Sequence, residues 1–124
     1  MIISLPEFTL ASTSSIRLKI LDQAGLKFNS IKPKQEEPRA TGFATPESYV
    51  KFCSQQKAKE ISLSHLDSIV VGCDQTVYFQ SQILNKVANK EECIDRLTAF
   101  SGKHHQLVNG LSIFQNGKEI FYHG

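Results

Sequence analysis

Residues 68–73 read Ser-Ile-Val-Val-Gly-Cys, an uninterrupted run of mainly apolar and β-branched residues. Such a run is typical of a strand that is covered on both faces, as in parallel or mixed sheets. Segments with helical periodicity alternate with short strand-like segments on either side of it. The sequence therefore predicts an α/β or α+β domain.

The segment before this run is predicted to hold two strands and two helices. Strands are expected at Phe8–Leu10 and Phe28–Ile31, separated by a helix over 16–24 that Gly25 ends. One side of this helix is expected to carry Ile16, Ile20, Leu21 and Ala24. A polar, proline-containing loop over 32–46 leads to a second helix, which runs from Pro46 to about Leu63 and is capped by Thr45.

The segment after residue 73 is predicted to form two hairpins and a third helix. Thr76–Phe79 and Gln82–Leu84 form the first hairpin, and Gln106–Phe114 pairs with Glu119–Tyr122 across a type I′ turn at Asn116-Gly117. The helix spans Asn89–Phe100, and its inward residues are expected to be Cys93, Ile94, Leu97 and Phe100.

Composition limits the class of protein. The 124 residues suffice for one domain, and a net charge of +2 is too small to indicate nucleic acid or a membrane as a partner. No apolar run approaches the roughly 20 residues of a membrane span. The N-terminus has no basic region, so no signal peptide is expected. Three cysteines without a C-x-x-C pair argue against a disulfide framework or zinc ribbon and favour a reducing cytoplasm.

Asp74 is a candidate functional residue because it directly follows the apolar run, at the expected carboxyl end of a buried strand. Ligands of open α/β sheets bind at that end. An isolated Asp after a strand also commonly begins a turn, which is the simpler interpretation. Gly72 permits a close backbone approach and slightly favours a site.

Lys57 is a second candidate, because it lies on the buried stripe of the second predicted helix. The stripe consists of Val50, Cys53, Lys57 and Ile61. A lysine in such a position either extends its side chain to solvent or reaches a site.

Phosphate-binding chemistry is indicated by Arg17, which lies in the first turn of a helix preceded by Ser12 and other serines. Glu37 in the polar loop could supply a metal ligand, and Lys86 follows the first hairpin. Each feature alone is also compatible with capping or with a solvated charge. Together, two carboxylates, two lysines and this helix start fit a site for Mg²⁺ and a polyphosphate.

Residues 10–17, Leu-Ala-Ser-Thr-Ser-Ser-Ile-Arg, resemble the L-A-S-x-S-P-x-R opening of the Maf branch of the Maf/HAM1-like nucleotide pyrophosphatases. Further motifs follow in the family's order: Glu36-Glu37 on D-E, Lys57-Ala58 on K-A, residues 71–76 on G-A-D-[TQ], residues 85–87 on G-K-P and residues 101–105 on S-G-[RK]-x-H. The resemblance extends over nearly the whole chain and is greatest to alphaproteobacterial members.

The resemblance implies a single Maf-like domain over 1–124, an α/β fold with a mixed twisted sheet flanked by helices, truncated at its C-terminal end. It implies a cytoplasmic enzyme that hydrolyses nucleoside triphosphates to monophosphate and pyrophosphate with Mg²⁺ or Mn²⁺, without nucleic acid or membrane partners. A homodimer is compatible with it. Carried over by position, Ser12 and Arg17 hold phosphate, Glu37 and Asp74 hold metal and water, and Lys57 and Lys86 neutralise the triphosphate.

Several positions depart from the family pattern. Ser15 stands in place of Pro, Ile16 leaves one arginine of a common pair, and Glu36 replaces Asp. Asn85 and Val87 replace the Gly and Pro on either side of Lys86. Family members are also longer, and their C-terminal part supplies further sheet, helix and a catalytic Gln. A non-catalytic nucleotide- or polyphosphate-binding remnant is therefore the alternative, and a plain interaction module is a third.

Overall fold

A computed structural model describes residues 5–84 and 86–124 of the chain. Residues 1–4, which entered the prediction about the N-terminus, and Asn85, which entered the comparison with the G-K-P motif, lie outside the described residues. Among the described residues, no helix combines the length and the apolar character needed to cross a bilayer.

One mixed sheet organises the described chain, as the resemblance implies. Its strands are β1 (Phe8–Leu10), β2 (Phe28–Ser30), β3 (Val70–Phe79), β4 (Gln82–Leu84), β5 (Gln106–Gln115) and β6 (Lys118–His123). Their order is β2-β1-β3-β5-β6, and β4 pairs with the distal end of β3. The strand β1 runs parallel to both β2 and β3, whereas the other pairs are antiparallel. The α/β prediction is confirmed.

Within the described residues, three α-helices accompany the sheet: α1 (Ser15–Gln23), α2 (Pro46–Ser64) and α3 (Lys90–Phe100). The start of α2 is fixed locally, because the Thr45 side chain accepts a hydrogen bond from the Ser48 amide in a capping box and Pro46 occupies the first turn. The predicted cap and the predicted start of this helix are both confirmed.

The helix α2 packs closely on one face of the sheet, over β3 and β5. A Cβ atom at Gly72 would lie 2.2 Å from the Ser54 carbonyl oxygen, and one at Gly110 would lie 2.9 Å from the Val50 carbonyl oxygen. Glycine at both positions therefore permits the backbones of helix and sheet to approach each other. The buried core beside this contact consists of Ala11, Ala58, Ile61, Val70 and Phe114.

The predicted end of the buried strand at Cys73 is wrong. The strand continues to Phe79, because β5 pairs with it in unbroken register from Val70, opposite Phe114, to Tyr78, opposite Gln106. Asp74 therefore lies inside β3 and neither ends a strand nor begins a turn.

The predicted inward face of α3 is wrong for Ile94 and Leu97, and the apolar side predicted for α1 is exposed. Ile16 and Ile20 are 71% and 58% exposed, and Ile94 and Leu97 are 53% and 63% exposed. Neither helix has a buried residue in the described part of the chain. Helical periodicity identifies an apolar face but does not determine whether another element covers it.

Local turn and cap predictions agree with the structure. Gly25 ends α1 with a φ of +76°. Asn89, predicted as the first residue of the third helix, is its N-cap, and its side chain accepts a hydrogen bond from the Glu92 amide. Asn116 and Gly117 have φ of +55° and +73°, as a type I′ turn requires.

Candidate active site on β3

The middle of β3 borders a gap in the sheet. On one side, β1 pairs with β3 only at Val70 and Val71, and β4 pairs only from Val77 onward. In the part of the chain that the structure describes, the intervening segment of β3 has no strand partner on that side. Asp74 lies in this segment, just beyond the carboxyl end of the neighbouring parallel strand β1. Ligands of open α/β sheets bind at the carboxyl ends of strands, so the end of β1 still favours a site beside Asp74.

Three predicted site residues are in direct contact at this gap. Lys57 Nζ lies 2.5 Å from Glu37 Oε1 and 3.1 Å from Asp74 Oδ1. It also donates to the Cys73 carbonyl oxygen at 3.3 Å. The side chains of Lys57 and Asp74 are only 15% and 9% exposed, whereas that of Glu37 is 44% exposed. Lys57 thus reaches a site and does not extend into solvent.

Close packing explains why these residues meet. Asp74 lies two residues after Gly72 and directly opposite Gly110 in β5. Both glycines face the backbone of α2, which carries Lys57. Since no side chain separates helix and sheet at these two points, the lysine stem spans the short distance to the Asp74 carboxylate.

Burial and charge oppose each other in this cluster. Burial raises the pKa of Asp74 above 3.8, and the nearby Lys57 and Arg17 cations only partly offset that rise. For Lys57, burial lowers the pKa, but the two carboxylates of Glu37 and Asp74 outweigh burial and raise the pKa above 10.5. Charge outweighs burial for the pKa of Lys57 but not for that of Asp74, because the one ammonium faces two carboxylates.

Sequence reasoning placed Cys53 on the buried stripe of α2 and missed its proximity to the carboxylates. The ligand atoms of Glu37, Cys53 and Asp74 all lie within 4.8 Å of one another. Burial, with the nearby carboxylates, raises the pKa of the Cys53 thiol to about 12. Its spacing of four residues from Lys57 was the available signal, since that spacing places both side chains on one helix face.

The remaining predicted site residues lie around the gap without contacting the cluster directly. Arg17 and Lys86 line the same groove as Asp74, a space of about 1180 Å³ between α1 and the sheet. Ser12 is buried, and its Oγ accepts a hydrogen bond from the Ser14 amide at 3.1 Å. Glu37, which belongs to the cluster, also lines a second cavity of about 750 Å³, on the side of the β3–β4 hairpin.

Residues 7–123 match the family model described as Maf-like protein. The chain belongs to the Maf-like family. The predicted resemblance is confirmed, and the motifs that carried it include Glu37, Lys57 and Asp74, the three residues in contact.

Three curated relatives illustrate the match. The chain is 36% identical over 115 residues to a 7-methyl-GTP pyrophosphatase of Bartonella quintana, covering 90% of this chain and 58% of the relative. It is 31% identical over 119 residues to a nucleoside triphosphate pyrophosphatase of Ruegeria pomeroyi, covering 92% and 60%. It is 33% identical over 114 residues to a dTTP/UTP pyrophosphatase of Bacillus anthracis, covering 92% and 59%.

The Maf-like chain thus spans less than two thirds of the length of these relatives. Among solved structures, a nucleoside-triphosphatase / dITP/XTP pyrophosphatase from Mycobacterium abscessus aligns with 93% of this chain and 68% of its own, at a TM-score of 0.45 and 17% identity. The family assignment rests on the family model and the curated relatives.

Proposed function

We propose that this Maf-like protein hydrolyses nucleoside triphosphates to the monophosphate and pyrophosphate with a divalent cation. The observation that carries the proposal is the cluster of Glu37, Lys57 and Asp74 at the gap beside β3. The three relatives described above are named as pyrophosphatases acting on nucleotides, which supports the same reaction.

The residues present fit a divalent cation. Carboxylate oxygens of Glu37 and Asp74 come within 4.8 Å of each other, and Mg²⁺ and Mn²⁺ prefer such ligands. Lys57 supplies the positive charge between these two carboxylates in the structure. A bound Mg²⁺ or Mn²⁺ would supply charge to the triphosphate oxygens and acidity to an attacking water.

Asp74 is the proposed general base. Its carboxylate takes a proton from water, the water oxygen bonds to the α-phosphorus, and the bond to the β-phosphate oxygen breaks, so that pyrophosphate leaves. Burial raises the pKa of Asp74, which makes its carboxylate a stronger base than one in water. A raised pKa at a buried carboxylate that faces a cleft is typical of this role.

Cationic side chains on two sides of Asp74 are proposed to bind the triphosphate. Arg17 and Lys86 line the groove on one side, and Lys57 lies on the other. When substrate binds, Lys57 can exchange part of its contact with Glu37 for a phosphate oxygen. Ser12, at the start of the segment that leads into α1, is proposed to donate its hydroxyl to phosphate.

The proposed substrate class is nucleoside triphosphates, including base-modified ones, because the relatives' names include both 7-methyl-GTP and dTTP/UTP. The proposed location is the cytoplasm, where these nucleotides occur and where the three free cysteines would stay reduced.

Pyrophosphate release tests the proposal. The chain is assayed with each nucleoside triphosphate and with 7-methyl-GTP, in Mg²⁺ and then in Mn²⁺. We expect Asp74→Asn to abolish turnover and Asp67→Asn, at an exposed residue, to retain it. Turnover by Asp74→Asn equal to that of the wild type would refute the role of Asp74.

Binding of a non-hydrolysable triphosphate separates the two functions predicted from the sequence. Turnover supports the enzyme. Binding without turnover supports the non-catalytic remnant instead. If the chain neither binds nor hydrolyses any triphosphate, both are wrong.

A further inference from the structure

We infer that Cys53, together with the carboxylates of Glu37 and Asp74, forms a Zn²⁺-binding site. This inference rests on the proposed function only because both use these two carboxylates. These two carboxylates and the Cys53 thiol have ligand atoms within 4.8 Å of one another. Thiolate sulfur selects Zn²⁺ over Mg²⁺, whereas carboxylate oxygens accept either ion. A thiol at this position therefore changes which cation the site favours.

The distances allow such a site after a small adjustment. Zn²⁺ binds sulfur at about 2.3 Å and carboxylate oxygen at about 2.0–2.2 Å, which places tetrahedral ligand atoms roughly 3.5 Å apart. The ligand atoms of Glu37, Cys53 and Asp74 therefore need to approach by about 1.3 Å at most from their separations of up to 4.8 Å. Glu37 lies in a loop and is half-exposed, so it can supply most of this movement.

The existing charges also favour a cation at this point. Lys57 Nζ lies between the two carboxylates, at 2.5 Å from Glu37 and 3.1 Å from Asp74. Zn²⁺ takes over this neutralising role, and the flexible lysine stem turns away from the site. The thiol proton passes to solvent as the Zn–S bond forms. The fourth position is left for water or a phosphate oxygen.

Glu37 and Asp74 each border a cavity, whereas Cys53 is fully buried. Glu37 and Tyr49 line the cavity of about 750 Å³ beside the hairpin. Tyr49 precedes Cys53 by one helical turn of α2, and its hydroxyl donates to the Pro38 carbonyl oxygen at 3.0 Å. An ion that enters this cavity contacts Glu37, and the fully buried Cys53 is the inner ligand of the proposed site.

Cd²⁺ alone, without nucleotide, is the probe that tests the inference, because a cadmium–thiolate bond produces an ultraviolet charge-transfer band. The variant Cys73→Ser/Cys93→Ser leaves Cys53 as the only thiol of the chain. We expect the full band, saturating at one Cd²⁺ per chain, in the wild type and in this double variant. Cys53→Ser should lose the band and bind Zn²⁺ at least about tenfold more weakly in a calorimetric titration.

A further substitution shows whether a carboxylate shares the ion. Asp74→Asn, added to the double variant, should weaken Cd²⁺ binding by about tenfold or more. The inference is wrong if the double variant gives no band, or if its Cd²⁺ affinity is unchanged by Asp74→Asn.

Two features keep these outcomes decisive. If Cys53→Ser does not fold, as circular dichroism would show, the double variant still decides, because its Cys53 is native. Pyrophosphate release in Mg²⁺ is measured separately, so the inference about Cys53 and the proposed hydrolysis can fail independently.

Discussion

Lys57→Met removes the only ammonium that contacts the two carboxylates in the described cluster, while an unbranched side chain keeps the apolar packing of the stem. Lys57 bonds to Glu37 at 2.5 Å and to Asp74 at 3.1 Å. Its loss leaves two like charges facing each other, one of them on a side chain that is only 9% exposed.

The expected cost follows from burial. Removing one partner of a fully buried pair destabilises a protein by about 3–5 kcal/mol, whereas exposed pairs contribute about 0–1 kcal/mol. Asp74 is nearly buried but Glu37 is half-exposed, so an intermediate loss of about 2–3 kcal/mol is expected. For a chain of this size, such a loss lowers Tm by roughly 8–12 °C.

The loss should depend on pH. Protonation of Asp74 removes the repulsion, so the difference between Lys57→Met and wild type should shrink in acid. Because the folded pKa of Lys57 is raised, the stability that it contributes is complete below its unfolded value of 10.5 and is lost as the pH rises through the folded pKa. Urea and thermal unfolding at several pH values measure both effects.

Lys59→Met is the matched control, because Lys59 is exposed on the same helix. It should change stability by less than about 0.5 kcal/mol. Mg²⁺ should stabilise Lys57→Met more than the wild type, since the ion replaces the missing charge. Equal stabilities of the Lys57 and Lys59 variants at neutral pH would refute the electrostatic reasoning.

Three further outcomes are expected. Asp74→Asn should be more stable than the wild type at neutral pH, and this difference in stability should vanish in acid. The folded pKa of Asp74 is raised, so the stability linked to its protonated form is present below pH 3.8 and is lost as the pH rises through the folded pKa. A lower stability of Asp74→Asn than of the wild type in urea unfolding would contradict this sign. Gly72→Ala should lose about 1–3 kcal/mol because its Cβ meets the Ser54 carbonyl oxygen, whereas Gly42→Ala, with open space around it, should not. Thr45→Ala should lose about 1 kcal/mol by removing the cap of α2, measured by thermal unfolding, and an unchanged Tm would show that the cap is dispensable.

The sequence by itself determined the elements whose limits depend on neighbouring residues. Thr45 and Pro46 fix the start of α2, Gly25 ends α1, and Asn116-Gly117 sets the second hairpin. These features act through bonds and backbone preferences within a few residues, so a single sequence contains the information. The order of short motifs likewise indicated the family before any contact was known.

Only the tertiary structure decided how distant segments meet. The continuation of β3 through Asp74 depends on pairing with β5, and the exposure of Ile16 depends on what packs against α1. Helical periodicity left Lys57 free to reach solvent or a site and gave Cys53 only a place in the core. Their contact with the carboxylates follows from the close packing of α2 on glycines of two different strands, a distance that no local pattern encodes.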